Sequence, residues 1–279
     1  MRTDLQQTKT ASASESRSKS QRRQSLTTVL DVLIGLCVFV AGWQAVYWLR
    51  LWPPFLFPSP SSTSAEFVTL VRVGTLQTAI LGTLERMVAG FAVTLLLGVG
   101  IGILMVYFKR FGRVISSFSL GLQSFPSLAW VPFAILIIGL NNASMVFVLV
   151  MSSVFSVMMS TYSGLRNVPP IYVKAAKNMG TGNLALFGSV MLPGAMPSLI
   201  AGVRQAWSFA WHALIGAEML MGAVGLGGIL YEGSQFLKMN EVIVSMMVIF
   251  AIGLAADRLL FYRLEESVRN KWGLSRSSL

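Results

Sequence analysis

Four ionisable residues stand out because they lie within or beside long apolar stretches: Arg86, Arg204, His212 and Glu218. Charged side chains are costly in hydrocarbon, and those found there usually serve a pathway, a proton relay or a specific pairing. Glu218 also precedes the glycine-rich run Gly222–Gly228, which we expect to form an outer turn or a re-entrant loop. A bond from Glu218 to the backbone of that turn would give it a structural role, and the sequence leaves both interpretations open.

Arg204 and His212 belong to a stripe that recurs at helical spacing and includes Trp207, Ser208 and Trp211. Arginine, serine and histidine side chains can donate hydrogen bonds, so the stripe favours a pathway for an anion. Two alternatives remain. Arg204 can extend to the inner interface of the membrane, and His212 can bond a carbonyl inside a helix bundle.

The sequence contains no motif for covalent chemistry or for ATP hydrolysis. It has no Gly-x-x-x-x-Gly-Lys-Ser/Thr, no His-Glu-x-x-His and no Gly-x-Ser-x-Gly. With one His and one Cys, a zinc site of the usual protein-only type is implausible. We therefore expect no catalytic site, no metal site and no cofactor bound by this chain. A membrane-embedded enzyme would need a catalytic cluster that so few ionisable residues do not supply.

The composition indicates a polytopic membrane protein. Apolar residues make up 54% of the chain and charged residues 12%, which is about half the usual charged fraction. Met87–Phe108 carries no charge, and the charge-free run Val114–Leu165 is long enough to cross a ~30 Å hydrocarbon layer twice, with a break at Asn141-Asn142. The sequence predicts six helical spans at about Leu30–Leu49, Met87–Phe108, Ile115–Leu140, Met145–Tyr162, Pro197–Met219 and Val242–Leu260.

Most of the 22 Lys and Arg residues fall on one side of this six-span arrangement. Because positively charged loops stay in the cytoplasm, both termini and the central loop are expected there. The net charge of +11 then reflects topology and attraction to lipid headgroups, and we expect no nucleic-acid partner. Residues 1–28 are rich in Ser, Thr, Gln, Lys and Arg and are expected to form a disordered, uncleaved cytoplasmic tail ahead of a transmembrane domain over 29–279.

Small residues and prolines inside the spans bear on packing. Gly98 and Gly102 are one turn apart and predict a close helix–helix contact, either within the subunit or between two subunits. Pro126 and Pro132 predict kinks in the third span, whose freed carbonyls must be satisfied by neighbouring helices or by a water-filled cavity. If that cavity is a transport pathway, Trp130 lines it; the alternative is that the kinks serve packing alone.

A polar segment, Tyr172–Gly180, separates the fourth and fifth predicted spans. It predicts a short helix that ends at Gly180, because glycine takes the left-handed conformation without steric cost. Ala175 and Ala176 are expected to give this helix a smooth face that another protein can approach closely. A second helix is expected to begin around Pro193.

The spacing in this segment resembles the EAA loop of the permease subunits of bacterial ABC importers. That loop reads Glu-Ala-Ala, three residues, Gly, nine residues, a β-branched aliphatic residue, one residue and Leu-Pro. The matching residues here are Ala175, Ala176, Gly180, Val190, Leu192 and Pro193, and Lys174 stands where the family usually has glutamate. Further segments resemble the nitrate, sulfonate, taurine and bicarbonate branch of these permeases: Leu56–Ser61, Leu84–Phe91, Phe125–Pro132, Ala210–Met219 and Asp257–Gly273.

The resemblance implies an all-α, six-helix type I ABC importer permease of the bacterial inner membrane, with a coupling loop at about 166–193. Lys174, Ala175, Ala176, Asn178 and Gly180 would contact a cytoplasmic ATPase subunit, which would bind ATP and Mg. Two permease subunits, expected to be identical, would work with two ATPase subunits and an external binding protein. The cargo would be a small anion such as an aliphatic sulfonate, nitrate, taurine or bicarbonate. The alternative is an ion-coupled secondary carrier, which would need inverted repeats and acidic residues at mid-membrane.

Overall fold

A computed structural model describes residues 30–31 and 34–271 of the chain, and the predicted tail lies outside them. The described residues form helices and connecting turns, without a β-strand among them. They belong to two compact units, which meet in sequence between residues 64 and 65. The all-α class predicted from the sequence is thereby confirmed.

The first unit contains the apolar helix α1, Ile34–Trp48, and the start of helix α2, Pro60–Val73. Between them the proline-rich connector is irregular, and the indole nitrogen of Trp43 donates a 3.0 Å hydrogen bond to the carbonyl of Pro58. Helix α1 corresponds to the first predicted span.

The second unit contains four helices that are long and apolar enough to span a membrane. They are α3 (Thr75–Tyr107), α6 (Asn142–Arg166), α8 (Asn183–Met221) and α10 (Met239–Glu266). Four shorter helices connect or flank them: α4 (Lys109–Gln123), α5 (Trp130–Ile138), α7 (Pro170–Asn178) and α9 (Leu226–Gln235).

Two of the long helices begin well before the spans predicted from hydropathy. Helix α3 starts at Thr75, ahead of the predicted span start at Met87. Helix α8 starts at Asn183, ahead of the predicted span start at Pro197 and of the helix start expected around Pro193. Helical hydrogen bonding does not stop where the apolar run stops, so hydropathy locates only the central part of each helix. Proline lacks an N–H and clashes with the carbonyl four residues earlier. Ahead of Pro193 the helix therefore widens into a π turn over Phe187–Met191 and continues.

The third predicted span is broken rather than kinked. Helix α4 ends at Gln123, a 3₁₀ turn covers Ser127–Ala129, and the two halves of the span differ in direction by 96°. Pro126, at φ −58° and ψ 124°, is extended and cannot continue the helix. The predicted break at Asn141-Asn142 is confirmed, because the Asn141 side chain accepts a hydrogen bond from the backbone N–H of Ser144 and caps α6.

Helix α6 packs against both α3 and α8, and small and hydroxylated residues hold these contacts. Thr94 and Ser153 share a 2.9 Å hydrogen bond between α3 and α6. The Ser156 hydroxyl donates to the carbonyl of Gly202 at 3.2 Å between α6 and α8. Such bonds satisfy polar groups in a span and tie neighbouring helices together.

The Gly98/Gly102 pair packs within the subunit, against α6. A methyl group added at Gly102 would lie 2.5 Å from Cβ of Thr161 and 2.8 Å from the carbonyl of Met158. A methyl group at Gly98 would lie 2.7 Å from Cβ of Val157. The intramolecular alternative raised by the sequence is therefore the one found in the structure.

Gly102→Leu should force α3 and α6 apart and lower the free energy of unfolding by roughly 1–3 kcal/mol or more, as overpacking does. Gly100→Leu is the matched control, because nothing lies within 4 Å of a Cβ at Gly100. Thermal unfolding in detergent compares the two variants. Equal melting temperatures would contradict the assigned contact.

Candidate functional site

Helix α7 forms the polar segment predicted to contact another protein. It begins at Pro170, where a missing N–H costs no helical bond, and it ends at Asn178. The N–H of Gly180 bonds the carbonyl of Lys177 at 2.9 Å, and the N–H of Thr181 bonds that of Ala176 at 3.1 Å. With Gly180 at φ +79°, this pair of bonds is the Schellman motif, so the predicted helix end is confirmed.

Four large apolar side chains are exposed along α7, the turn after it and the first turn of α8, beside exposed Lys174, Lys177 and Asn178. Ile171 is 70% exposed, Tyr172 60%, Met179 78% and Leu184 87%. Large apolar side chains that are exposed along one short segment indicate a surface that another protein covers. We call these four residues the coupling patch.

The two alanines of α7 do not share a face. Ala175 is exposed beside Lys174 and Asn178, whereas Ala176 is 4% exposed and packs into the subunit. Neighbouring residues on a helix point about 100° apart, so one of an adjacent pair can face outward while the other is buried. The expectation that both alanines form the contact face is corrected: Ala175 faces outward and Ala176 anchors the helix.

The predicted stripe on α8 divides into two faces. Ser208 and His212 are exposed on the subunit surface, together with Gln205. Trp211 is 5% exposed and belongs to the core. Trp207 also turns towards its neighbours, with its ring edge-on to Phe91 at a centroid distance of 5.2 Å.

Arg204 lies between these faces and is engaged by two carboxylates. Its Nε and one terminal nitrogen bond both oxygens of Asp257 at 2.7 and 2.8 Å, and its other terminal nitrogen lies 3.3 Å from Glu265. This two-bond pairing ties α8 to the last turns of α10. Neither interpretation drawn from the sequence had included a carboxylate partner for Arg204.

Trp130 stands at the break in the third span. Its ring packs edge-on against Phe125, Phe133 and Phe147, at centroid distances of 5.4, 5.9 and 6.3 Å. It also lines a cavity of about 170 Å³ that lies between the break, α6 and Phe209 of α8. Trp130 therefore lies beside a cavity, and its role in a transport pathway stays a prediction.

At one end of the bundle, Glu218 of α8 is fully buried and bonded on every side. Its carboxylate accepts from Arg86 at 2.7 Å, from the Thr83 hydroxyl at 2.9 Å and from the Gly227 N–H at 3.1 Å. Arg86 in turn donates to Asn142 at 2.9 Å and to the carbonyl of Val224 at 2.8 Å. The expected bond from Glu218 to the glycine-rich turn is thus present. The network joins α3, α8 and the turn that leads into α9.

The sequence marks Arg86, Glu218 and Arg204 as residues that need an explanation and predicts the bond from Glu218 to the glycine-rich turn, but it does not identify their charged partners. The signal was the isolation of each charge in an apolar context. The partners were hidden because they lie far away in sequence, and helical spacing reports only neighbours on the same helix.

Comparisons with known proteins give a consistent result. The model of a family described as "Binding-protein-dependent transport system inner membrane component" matches residues 94–270. A probable ABC transporter permease protein of Brucella melitensis is 28% identical, covering 82% of this chain and 92% of the relative. The bicarbonate transport system permease protein CmpB of Synechocystis is 26% identical, covering 94% and 97%. The nitrate import permease protein NrtB of Synechocystis is 26% identical over 66% of each chain.

Solved structures give the same result at the level of the fold. A chain of an amino acid ABC transporter crystallised with histidines matches with a TM-score of 0.59 and 18% identity, covering 72% of this chain and 98% of that one. A chain of the MetNI methionine ABC transporter in an inward-facing conformation matches with a TM-score of 0.53 and 18% identity, covering 69% and 97%.

Proposed function

Because this chain belongs to the family of binding-protein-dependent transport system inner membrane components, we propose that it is the permease subunit of an ATP-driven importer for a small oxyanion. The resemblance drawn from the EAA-type loop is confirmed by this family match. The ABC importer permease fold and a multi-pass inner-membrane location follow from the same findings.

The coupling patch is the observation that supports an ATPase partner. A subunit that carries no ATP motif but presents exposed Ile171, Tyr172 and Met179 on a capped short helix is suited to dock into a groove of another protein. The exposed surface of the same helix also carries Lys174, Ala175 and Asn178. Gly180 ends the helix, and the buried Ala176 packs it against the subunit.

In this proposal two copies of the permease meet two ATPase subunits, and an external binding protein delivers the cargo. Both termini and α7 lie in the cytoplasm, as the bias of Lys and Arg favours. When the ATPase pair closes on ATP, it draws the two α7 helices together, and the permease changes to its outward-facing state. ATP hydrolysis returns the permease to its inward-facing state. The chain performs conformational gating and no covalent chemistry.

The cargo is a small oxyanion such as bicarbonate, nitrate or an aliphatic sulfonate, including taurine. Relatives named for bicarbonate and nitrate transport support this class. Exposed Ser208 and His212 of α8, with Trp130 at the helix break, supply hydrogen-bond donors along the proposed pathway. Arg204 and Trp211 lie beside the proposed pathway. Arg204 is held there by its ion pairs, and Trp211 packs in the core.

The function is tested by reconstituting the permease with its ATPase and binding protein in proteoliposomes. ATP supplied on the side of the vesicle membrane that carries the ATPase should drive uptake of radiolabelled bicarbonate, nitrate or taurine. Uptake that depends on an imposed proton or sodium gradient and does not depend on ATP would identify an ion-coupled carrier and reject the proposal.

His212→Leu and Ser208→Leu should each reduce uptake about tenfold, the usual effect of removing a hydrogen bond to a charged group. Met219→Leu serves as the control, because it keeps an apolar side chain at an exposed position of the same helix. Uptake rates are compared at equal membrane expression. Wild-type rates in both polar variants would place the pathway elsewhere.

A further inference from the structure

The cavity at the break in the third span is built from uncharged residues in the second unit. It measures about 170 Å³, and its described lining includes Gln123, Ser127, Trp130, Ser152 and Phe209. A water molecule occupies about 30 Å³ of liquid, so the cavity has room for a three- or four-oxygen anion with a few waters. No carboxylate is present among its described lining residues to repel an anion.

Two donors in this lining lack partners. Within residues 34–271, neither the Ser127 hydroxyl nor the Trp130 indole N–H makes a hydrogen bond. Both side chains are half-buried, yet no buried nitrogen or oxygen of a described side chain is unsatisfied, so these two donor atoms are accessible. Because both donor atoms are accessible and unpaired, a ligand or a water molecule that enters the cavity can accept their hydrogens.

Further groups complete a polar lining. Gln123 donates to the carbonyl of Phe155 at 3.5 Å, a long bond that leaves the rest of its amide available. Ser152 donates to the carbonyl of Leu149 at 2.7 Å and reaches the carbonyl of Phe209 at 3.4 Å, which fixes its hydroxyl against α8. The aromatic rings around Trp130 hold its indole in place.

We propose that this cavity is an oxyanion-binding site within the permease itself, where Ser127, Trp130 and Gln123 donate hydrogen bonds to the cargo during passage. This assignment rests on the proposed function. It adds a second point of selection, at which the permease recognises the cargo after the binding protein has released it. Neutral donors suit transport, because they recognise an oxyanion without holding it as strongly as a lysine or arginine would. The site lies where the chain breaks because only an interrupted helix brings residues of α4 and of the 3₁₀ turn to one cavity.

Ser127→Ala and Trp130→Phe each remove one donor and keep the surrounding shape. In the reconstituted transporter, kcat/KM for uptake of bicarbonate or nitrate should fall about tenfold in each variant. ATP hydrolysis stimulated by the loaded binding protein should stay near wild type, because α7 and the outer surface are untouched. Ser117→Ala and Trp48→Phe are matched controls, since the Ser117 hydroxyl bonds the carbonyl of Arg113 and Trp48 is 73% exposed in the first unit.

Direct binding separates the site from the function. Line broadening of ¹³C-bicarbonate and ¹⁵N-nitrate resonances is measured on the permease–ATPase complex in nanodiscs without binding protein. The site is supported if the wild type broadens these resonances, both cavity variants broaden them less, and both controls broaden them as the wild type does. This result holds even if vesicle uptake shows a different cargo class. Absence of broadening by the wild type, or wild-type uptake kinetics in both cavity variants, overturns the site and leaves the importer function standing.

Discussion

Arg86→Met is expected to lower the free energy of unfolding of the permease by about 3–5 kcal/mol, the usual cost of removing one partner from a buried ion pair. Glu218 has no exposed surface and lies 2.7 Å from Arg86. Without the guanidinium, its charge would be left with only the Thr83 hydroxyl and the Gly227 N–H. Denaturant or thermal unfolding in detergent measures the loss.

Two further variants make this test specific. Lys238→Met breaks a pair with Glu241 in which the lysine is 57% exposed, so it should cost less than about 1 kcal/mol. The double variant Arg86→Met/Glu218→Leu should recover much of the loss, because it removes the buried charge together with its partner. If Arg86→Met costs no more than Lys238→Met, the buried pair does not hold this end of the bundle.

The same network holds the glycine-rich turn in place. A methyl group added at Gly225 would lie 2.5 Å from the Glu218 carboxyl carbon. The turn therefore lies directly on the ion pair, and the backbone of Leu226 and Gly227 is fixed by Thr83 and Glu218. Loss of the pair is expected to release this turn before the rest of the fold.

Gly180→Val is expected to abolish ATP hydrolysis stimulated by the loaded binding protein while leaving membrane insertion intact. A β-branched residue at φ +79° is strained by roughly 1–3 kcal/mol, so the Schellman end of α7 should open and displace Met179 of the coupling patch. Nothing lies within 4 Å of a Cβ at Gly180, so the effect comes from the backbone and not from a clash.

Gly182→Val is the matched control for this prediction. Gly182 has φ −68° and ψ 161°, a conformation that valine adopts readily, and it too has open space around a Cβ. Stimulated ATPase activity of the reconstituted complex is measured for both variants. Full coupling in Gly180→Val, or equal loss in Gly182→Val, would show that the helix end does not transmit the signal.

Several features of this protein are determined by the sequence because their causes are local. The apolar runs locate the central parts of the spans, since a long apolar run by itself favours a membrane helix. Gly180 fixes the end of α7 through its own backbone freedom, and Asn141 fixes the start of α6 through a bond three residues away. Such features need no knowledge of what the rest of the chain does.

Other features are decided only by the tertiary structure. Arg86 meets Glu218 across 132 residues and Arg204 meets Asp257 across 53, and no spacing rule connects residues on different helices. The direction taken after Pro126 has the same origin: proline interrupts the helix, but packing on α6 and α8 sets the 96° turn. Sequence determines which groups cannot remain unpaired in a membrane, and the packing of helices determines which distant group satisfies each of them.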